Sequence, residues 1–323
     1  MSQTAKLFEV SNENQGFIEM VQERLSDYFR ETGKSQSSLA KSIGYTAGAL
    51  NSFIHGSYKG DMMEVANRIN EFLMRETQRL TAPKTPDFAP TSFAKNALTV
   101  LNYAHVNRDM GLLHGDAGVG KTYSIEHYAA EHRNVIVITA GIDLSTPKAV
   151  VEEILSRLTK DFTYSSLNSM SRQVIQLLKG SDKLLVIDEA NHLNYRAREV
   201  IRKIHDQAQI GVVYCGSHDL YAQLHGKKDI IYAQLLSRIG VRRAMDRKSI
   251  SMDDISLVFE QHVKLDDPCL NLLYHCAVSE GGLRLAKKIY VLASTMAFGE
   301  NQPLGMKFFE KALGMAMADH VKI

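Results

Sequence analysis

The stretch Gly115–Thr122 reads Gly-Asp-Ala-Gly-Val-Gly-Lys-Thr and fits the pattern G-x-x-x-x-G-K-[ST]. Its glycines leave the backbone free to curve around a phosphate chain with its N–H groups pointing inward. In this pattern the Lys121 ammonium lies between the β- and γ-phosphates, and the Thr122 hydroxyl ligates Mg²⁺. A helix that begins at Lys121 would direct its positive dipole end toward the same phosphates. We therefore predict a nucleotide-binding loop made of Gly115, Asp116, Ala117, Gly118, Val119, Gly120, Lys121 and Thr122.

The residues on either side of this loop support that prediction. The apolar run Met110–Leu113 predicts a buried strand, and the residues after Thr122 follow a helical pattern. Strand, glycine loop and helix is the order that the motif requires. The alternative is a glycine-rich turn between core elements. Chance matching of the four fixed positions is on the order of one in a hundred for a chain of this length, which argues against that alternative.

A second motif, Leu184–Glu189, reads Leu-Leu-Val-Ile-Asp-Glu. Four aliphatic residues in a row predict a central parallel strand that is covered on both faces. Its two acids come at the carboxyl end of that strand, where open α/β sheets bind ligands. We assign Asp188 to the Mg²⁺ shell and Glu189 to activation of the attacking water. A solvated acidic loop would explain the acids but not their position.

Composition sets the limits for the class of protein. The chain has 323 residues, 45% of them hydrophobic, and a formal net charge of +2, so nucleic-acid binding would need local basic patches. No apolar run is long enough to span a membrane, and Met1–Val10 lacks the pattern of a signal peptide. The only cysteines, Cys215, Cys269 and Cys276, lack metal-ligand spacing. We expect buried thiols and a cytoplasmic protein.

The amino-terminal part of the sequence predicts a helix-turn-helix. Ser35–Gly44 and Thr46–His55 are two short helical segments around a glycine turn, and their pattern resembles the helix-turn-helix of phage repressors. Residues 34–60 contain three lysines and no acid, which suits a phosphate-facing surface. The predicted DNA-contacting residues are Thr46, Asn51, Ser52 and Lys59. A small helical docking domain is the alternative.

Three prolines between residues 81 and 91 predict a linker after that domain. Strands alternate with helices after residue 92, which implies a parallel sheet, and the chain from Met252 onward is helical. We predict a helix-turn-helix domain at 1–80, a linker at 81–91, an α/β core at 92–248 and a helical carboxyl-terminal domain at 249–323. The predicted strands are 110–113, 134–139, 184–187, 210–215 and 241–245, and the last helices are 252–263, 268–279, 283–298 and 303–320.

With these motifs in this order, residues 93–320 resemble an AAA+ ATPase. The resemblance implies a P-loop NTPase core with a parallel sheet and a carboxyl-terminal helical lid, preceded here by an all-α domain. It places the polar first sensor at Ser217 or His218, an arginine finger at Arg238 in Leu-Ser-Arg, and a second sensor at Arg284 in Gly-Gly-Leu-Arg. The implied cofactors are ATP and Mg²⁺.

Within the AAA+ proteins, the helix-turn-helix in front of the core resembles the MuB family of transposition target-selecting ATPases. The resemblance implies oligomers, as helical filaments or rings, on double-stranded DNA, slow DNA-stimulated ATP hydrolysis and activation of a transposase. By likeness to the related TnsC proteins, the DNA-facing residues of the core are Lys148, Lys160, Tyr164 and Ser166. The arginines at 242, 243 and 247 are the alternative path for DNA.

Two other functions fit the motifs. A helicase loader would also be an AAA+ ATPase on nucleic acid, but it would need a helicase-docking segment rather than a repressor-like domain. A transcription regulator would use ATP to gate the helix-turn-helix and would bind one sequence as a dimer.

Overall fold

The computed structural model describes residues 3–81, 86–161, 163–225 and 229–317. The chain divides into two compact units, Met1–Ala82 and Pro83–Ile323. Part of the predicted linker, residues 82–85, and the end of the predicted carboxyl-terminal domain, residues 318–323, lie outside the described residues.

The first unit is helical. Its helices are α1 (Gln3–Thr32), α2 (Gln36–Ile43), α3 (Ala47–Ile54) and α4 (Met62–Thr81). The Ser35 side chain caps α2 by accepting from the Ser38 backbone N–H, and Gly44 ends α2 with a φ of 77°. The apolar faces of the helices form one core that includes Val21, Leu25, Leu39, Leu50, Phe53 and Ile69. A turn of only three residues, 44–46, joins α2 to α3, which is the spacing expected of the predicted helix-turn-helix.

The second unit begins with the α/β core. Its elements are α5 (Ser92–Asn107), β1 (Met110–Gly115), α6 (Lys121–Glu131), β2 (Val135–Thr139), α7 (Pro147–Leu158), α8 (Leu167–Leu178), β3 (Leu184–Asp188), α9 (Tyr195–Ala208), β4 (Gly211–Gly216), α10 (His218–His225), α11 (Asp229–Leu236) and β5 (Ile239–Met245). In the described part of the chain after β5, four further helices follow, α12 (Met252–Phe259), α13 (Asp267–Val278), α14 (Gly282–Gly299) and α15 (Met306–Met317).

Within the described residues, five strands form one sheet in the order β2-β3-β4-β1-β5, and every neighbouring pair is parallel. Strands β1, β3 and β4 are buried along their whole length, because helices cover both faces of the sheet. One core includes residues of α5, α6 and α12–α15, and the other includes residues of α7–α11. The predicted α/β class with a parallel sheet is confirmed.

Some predicted ends differ from the structure. Strand β5 begins at Ile239, two residues before the predicted start at residue 241. Helix α12 ends at Phe259 rather than at residue 263, because the Glu260 carboxylate accepts from the Leu265 backbone N–H and fixes a loop there. The three cysteines are buried, as predicted. Within the described residues, no helix has the length and apolar character needed to cross a membrane.

Candidate nucleotide-binding site

The predicted loop lies between the buried strand β1 and helix α6, and two of its glycines are required by its shape. Gly115 has a φ of 145°, and a Cβ there would overlap the Met245 carbonyl oxygen. Gly118 has a φ of 77°, and a Cβ there would lie 2.7 Å from the Gly281 carbonyl oxygen. A side chain at either position would displace backbone, so the loop owes its curvature to these glycines.

Lys121 and Thr122 begin α6 and face two different partners. The Lys121 Nζ donates to the carbonyl oxygens of Gly115, at 2.9 Å, and of Asp116, at 2.6 Å, so the ammonium lies inside the curve of the loop. The Thr122 hydroxyl donates to Asp188 Oδ2 at 2.7 Å. Asp188 is only 2% exposed, at the end of β3. The structure thus brings the two predicted motifs into direct contact.

Glu189 has an unusual backbone conformation directly after β3. Its φ of 51° and ψ of 36° lie in the left-handed region, which costs a residue with a side chain about 1–3 kcal/mol. Its backbone N–H donates to Asp188 Oδ1 at 2.9 Å. Strand β3 ends at Asp188, and the Glu189 side chain is half-buried.

A magnesium ion fits the oxygen atoms at the carboxyl end of β3. Mg²⁺ prefers oxygen ligands and is held in proteins by one or two carboxylates together with phosphate oxygens and water. The Thr122 hydroxyl and the Asp188 carboxylate are adjacent oxygen donors beside the phosphate loop. These two side chains would hold the ion.

Asp116, inside the loop, has two partners outside the loop, Arg247 and His218. Its Oδ2 accepts from the Arg247 backbone N–H at 3.0 Å, and its Oδ1 lies 3.5 Å from His218 Nε2. Burial raises the pKa of Asp116, but the Arg247 hydrogen bond and the charges of Arg247, His218 and Lys121 outweigh it and lower the pKa overall. Arg247, which the sequence suggested as an alternative DNA contact, therefore lies against the phosphate loop.

The two candidates for the first sensor face different ways. Ser217 Oγ lies 3.4 Å from Asp219 Oδ2 and also accepts from the Asp219 backbone N–H, so the hydroxyl is used at the start of α10. His218 instead faces Asp116 of the phosphate loop. Asn191 was not predicted. Its Oδ1 accepts from the Ser217 backbone N–H at 3.1 Å and links the ends of β3 and β4.

The predicted second sensor lies beside the loop. Gly282 precedes Arg284 with a φ of 61°, and a Cβ on Gly118 would lie 3.5 Å from the Arg284 Cβ. A Cβ on Gly282 would lie 2.9 Å from the Ala117 carbonyl oxygen. Two glycines, one on each side, therefore allow the start of α14 to contact the phosphate loop and place the exposed Arg284 next to it.

Arg238 is separated from its own phosphate loop by the length of the sheet. It precedes β5, and Ile239 pairs with Met110 at the first residue of β1, whereas the loop follows the last residue of β1. Five residue steps along a strand correspond to about 17 Å. Arg238 Nε donates to Asp206 Oδ1 at 3.1 Å, and its side chain is 44% exposed.

The predicted DNA-contacting residues lie on the surface of their own units, and two of them also cap helices. Lys148, Lys160, Tyr164 and Ser166 are exposed in the second unit, and Thr46, Asn51 and Lys59 are exposed in the first, where Ser52 is half-buried. Ser166 Oγ caps α8 by accepting from the Ser169 backbone N–H, and Thr46 Oγ1 caps α3 in the same way. Lys148 Nζ lies 3.6 Å from Glu152 Oε1.

Two buried residues near the site have no sequence motif that predicts them. His114, the residue before Gly115, stacks on Tyr221 with ring centroids 4.5 Å apart. Burial, followed by the charges of His218, His225, Lys121 and Arg242, lowers the pKa of His114 to about 4, so the ring is neutral at pH 7. Arg198 on α9 is 1% exposed and donates to the carbonyl oxygen of Ala190, the residue after Glu189. Neither residue belongs to a motif, so only tertiary structure reveals them.

Comparison with known proteins agrees with this geometry. The family model described as "AAA domain" matches residues 104–224. The chain is similar in fold to the crystal structure of Cdc6p from Pyrobaculum aerophilum, with a TM-score of 0.50, 17% identity and coverage of 70% of this chain and 67% of that one.

Two similar proteins cover most of the sequence. The Mu-like prophage FluMu DNA transposition protein B of Haemophilus influenzae is 27% identical to this chain over 270 residues. These residues cover 83% of this chain and 94% of that protein. The ATP-dependent target DNA activator B of Escherichia phage Mu is 26% identical over 275 residues, which cover 85% of this chain and 88% of that protein. The chain therefore has an AAA domain at residues 104–224 and is similar along most of its length to the DNA transposition proteins B of phage Mu and of a Mu-like prophage.

Proposed function

We propose that the protein is an ATP-dependent DNA-binding protein that assembles on double-stranded target DNA, selects the target and activates a transposase. The observation that carries this proposal is the similarity, along 85% of the chain, to an ATP-dependent target DNA activator. The names of the relatives give no support to a helicase loader or to a transcription regulator. A cytoplasmic location is part of the proposal, because ATP and target DNA meet there.

The geometry supports particular roles in ATP hydrolysis. The loop N–H groups and Lys121 bind the phosphates, and Thr122 with Asp188 holds Mg²⁺, which when bound neutralises charge that develops on the transferred phosphoryl group. Glu189 orients and activates the attacking water from the turn beside Asp188. Of the two first-sensor candidates, the 3.5 Å distance from His218 to Asp116 favours His218, since Ser217 contacts Asp219.

The roles of the two arginines need an assembly of several copies. Arg284 lies beside the phosphate loop of its own chain and would contact the γ-phosphate from the lid. Arg238 lies at the opposite end of the sheet, so the phosphate it contacts would belong to a neighbouring copy. An arginine supplied by a neighbour can raise the hydrolysis rate by roughly a thousand-fold or more, so this arrangement would make hydrolysis depend on assembly.

Electron microscopy of the protein on long DNA duplexes of unrelated sequence tests this function. We expect ATP-dependent coating of every duplex, with little preference for sequence. A transcription regulator would instead occupy a single site as a dimer, with half-sites about one helical turn apart. Addition of a transposase from a related element, followed by measurement of strand transfer into the coated DNA, tests activation.

A further inference from the structure

Arg198 is a buried cation with an unusual set of partners. Its side chain is 1% exposed, and among the described residues it forms no ion pair with a carboxylate. Burial lowers the pKa of its guanidinium, and its Nε has no hydrogen-bond partner in the described structure. Burying a charge without an opposite charge destabilises a fold. Packing alone does not require such a residue, since an aliphatic side chain could fill the position.

The partners of Arg198 belong to three different elements. Its Nη2 donates to the Ala190 carbonyl oxygen at 3.0 Å, in the turn after β3, and to Gln223 Oε1 on α10. Its Nη1 donates to the Tyr232 hydroxyl on α11 at 3.2 Å, and its guanidinium carbon lies 5.5 Å from the centre of that ring. Arg198 is thus a single rigid group between the turn after β3 and the two helices that precede β5.

The contacts continue around the same turn. Gln223 Nε2 donates to the Asn191 carbonyl oxygen at 3.3 Å, and Asn191 Oδ1 accepts from the Ser217 backbone N–H. The carbonyl groups of the two residues that follow Glu189 therefore both accept side-chain hydrogen bonds from this network. Glu189 itself has a left-handed backbone conformation, which persists only where its surroundings fix it.

We propose that Arg198 is a positioning residue for ATP hydrolysis. It holds the turn that carries Glu189 in the conformation that water activation needs. It also joins that turn to α11, the helix that ends two residues before Arg238. When Arg238 contacts the nucleotide of a neighbouring copy, a shift of α11 would reach Arg198 through Tyr232. Arg198 would then change the position of Glu189 in the same chain. This inference rests on the proposed roles of Glu189 and Arg238.

The test compares Arg198→Met with a matched control, Arg196→Met, in the full-length protein on DNA. Arg196 is an exposed arginine of the same helix. We measure kcat for ATP hydrolysis and, separately, the Kd for ATP. Because a misplaced catalytic group costs up to about a hundred-fold in rate, Arg198→Met should lower kcat by about 10- to 100-fold and change the Kd by less than about twofold. Arg198→Lys should restore part of the rate, and Arg196→Met should hydrolyse like the wild type.

A double mutant separates positioning from a structural role. In a Glu189→Gln background, Arg198→Met should cause no further loss of kcat, since both changes act through one carboxylate. If the two substitutions together lowered kcat by the product of their separate effects, the positioning role would be overturned. A wild-type kcat for Arg198→Met, with a lowered kcat for Glu189→Gln, would overturn it as well. A wild-type kcat for Glu189→Gln would instead reject the proposed role of Glu189.

Two milder changes keep the proposal testable if Arg198→Met does not fold. Gln223→Leu removes the bonds from Gln223 to both Arg198 and Asn191, and it should lower kcat with an unchanged Kd; wild-type kcat would overturn the positioning role. Tyr232→Phe removes one hydroxyl and should lower kcat several-fold. Wild-type hydrolysis by Tyr232→Phe would overturn the connection to α11.

Discussion

Glu189 is the residue on which ATP turnover should depend most. It directly follows Asp188, the candidate Mg²⁺ ligand, and its backbone N–H donates to the Asp188 carboxylate. Its backbone has a left-handed conformation in the turn after β3. A carboxylate in this position can orient and activate a water molecule without binding the nucleotide itself. The nucleotide would be bound by the loop and by Lys121. Binding and hydrolysis should therefore be separable by single substitutions.

We expect Glu189→Gln to bind ATP normally, to hydrolyse it at least about a hundred-fold more slowly, and to remain assembled on DNA, because the geometry is kept while the base is lost. Lys121→Ala should lose nucleotide-dependent assembly. Steady-state hydrolysis and sedimentation with DNA measure both effects. Hydrolysis by Glu189→Gln at the wild-type rate would show that another group activates the water.

The loop and the two acids could be predicted at residue scale because each follows a buried strand in a pattern with fixed spacing. The partners of Asp116 could not, since Arg247 and His218 are more than a hundred residues away in the chain and meet Asp116 only through the strand order. Arg198 could not either, because a buried arginine has no local signature. The choice between Ser217 and His218 depends on the direction of two adjacent side chains, which sequence does not specify.

Asp254 joins two elements of the second unit, α12 and the start of α5, by hydrogen bonds. It is 2% exposed at the start of α12, and its Oδ1 accepts from the Ser92 backbone N–H at 2.7 Å. Its Oδ2 accepts from the Ser92 hydroxyl at 2.9 Å and from the Ser251 backbone N–H at 3.1 Å. Burial raises the pKa of this carboxyl, but the hydrogen bonds from Ser92 and Ser251 lower it by more, so the pKa lies below its ordinary value.

A lowered folded-state pKa means that the Asp254 carboxylate stabilises the fold above about pH 4, the value for an unfolded aspartate, and that this contribution is lost as the pH falls through the folded-state value. Asp254→Asn should lower the free energy of unfolding by about 1–3 kcal/mol at pH 7, and the deficit should shrink below about pH 4. Urea unfolding from pH 7 to pH 3 measures it, with the exposed neighbour Asp253→Asn as the control. A deficit that stayed constant with pH would contradict this account.

At the scale of elements, the sequence predicts the sheet better than the helix ends. Strand β3 is recognised because its residues are uniformly aliphatic, which is required of a strand that is covered on both faces. Strand β5 begins earlier than predicted because the exposed Gly240, a residue that disfavours strands, separates Ile239 from the predicted segment 241–245. The end of α12 depends on a hydrogen bond from the Leu265 backbone N–H to Glu260, and no helix propensity encodes that contact.

In the assembled protein, Arg238 and Lys121 should act in different chains of one shared site. We expect Arg238→Ala to bind ATP but not to hydrolyse it. A mixture with Lys121→Ala should regain part of the activity, because each variant supplies what the other lacks. Hydrolysis by the mixture, measured against each variant alone, checks this. No recovery, where mixed oligomers demonstrably form, would leave Arg238 as the surface partner of Asp206, worth roughly 0–1 kcal/mol.

The path of DNA across the core has a separate test. Lys148 is 61% exposed, in a weak surface ion pair with Glu152, and Lys160 is exposed, so solvent-borne phosphates can reach both side chains. The double change to alanine should weaken DNA binding equally for all sequences and reduce its salt dependence by about two phosphate contacts, while ATP binding is kept. Changing Lys183, a half-buried lysine before β3, to alanine is a control. An unchanged salt slope would direct attention to Arg242 and Arg243.

The most direct test of the central claim is sedimentation of the protein with duplexes of unrelated sequence, with ATP, without nucleotide and with Lys121→Ala. If ATP-loaded chains assemble on target DNA, the wild type should saturate every duplex in proportion to its length when ATP is present. Both the nucleotide-free protein and Lys121→Ala should leave the duplexes largely uncoated. Equal coating with and without ATP, or a fixed stoichiometry on a single sequence, would contradict the account.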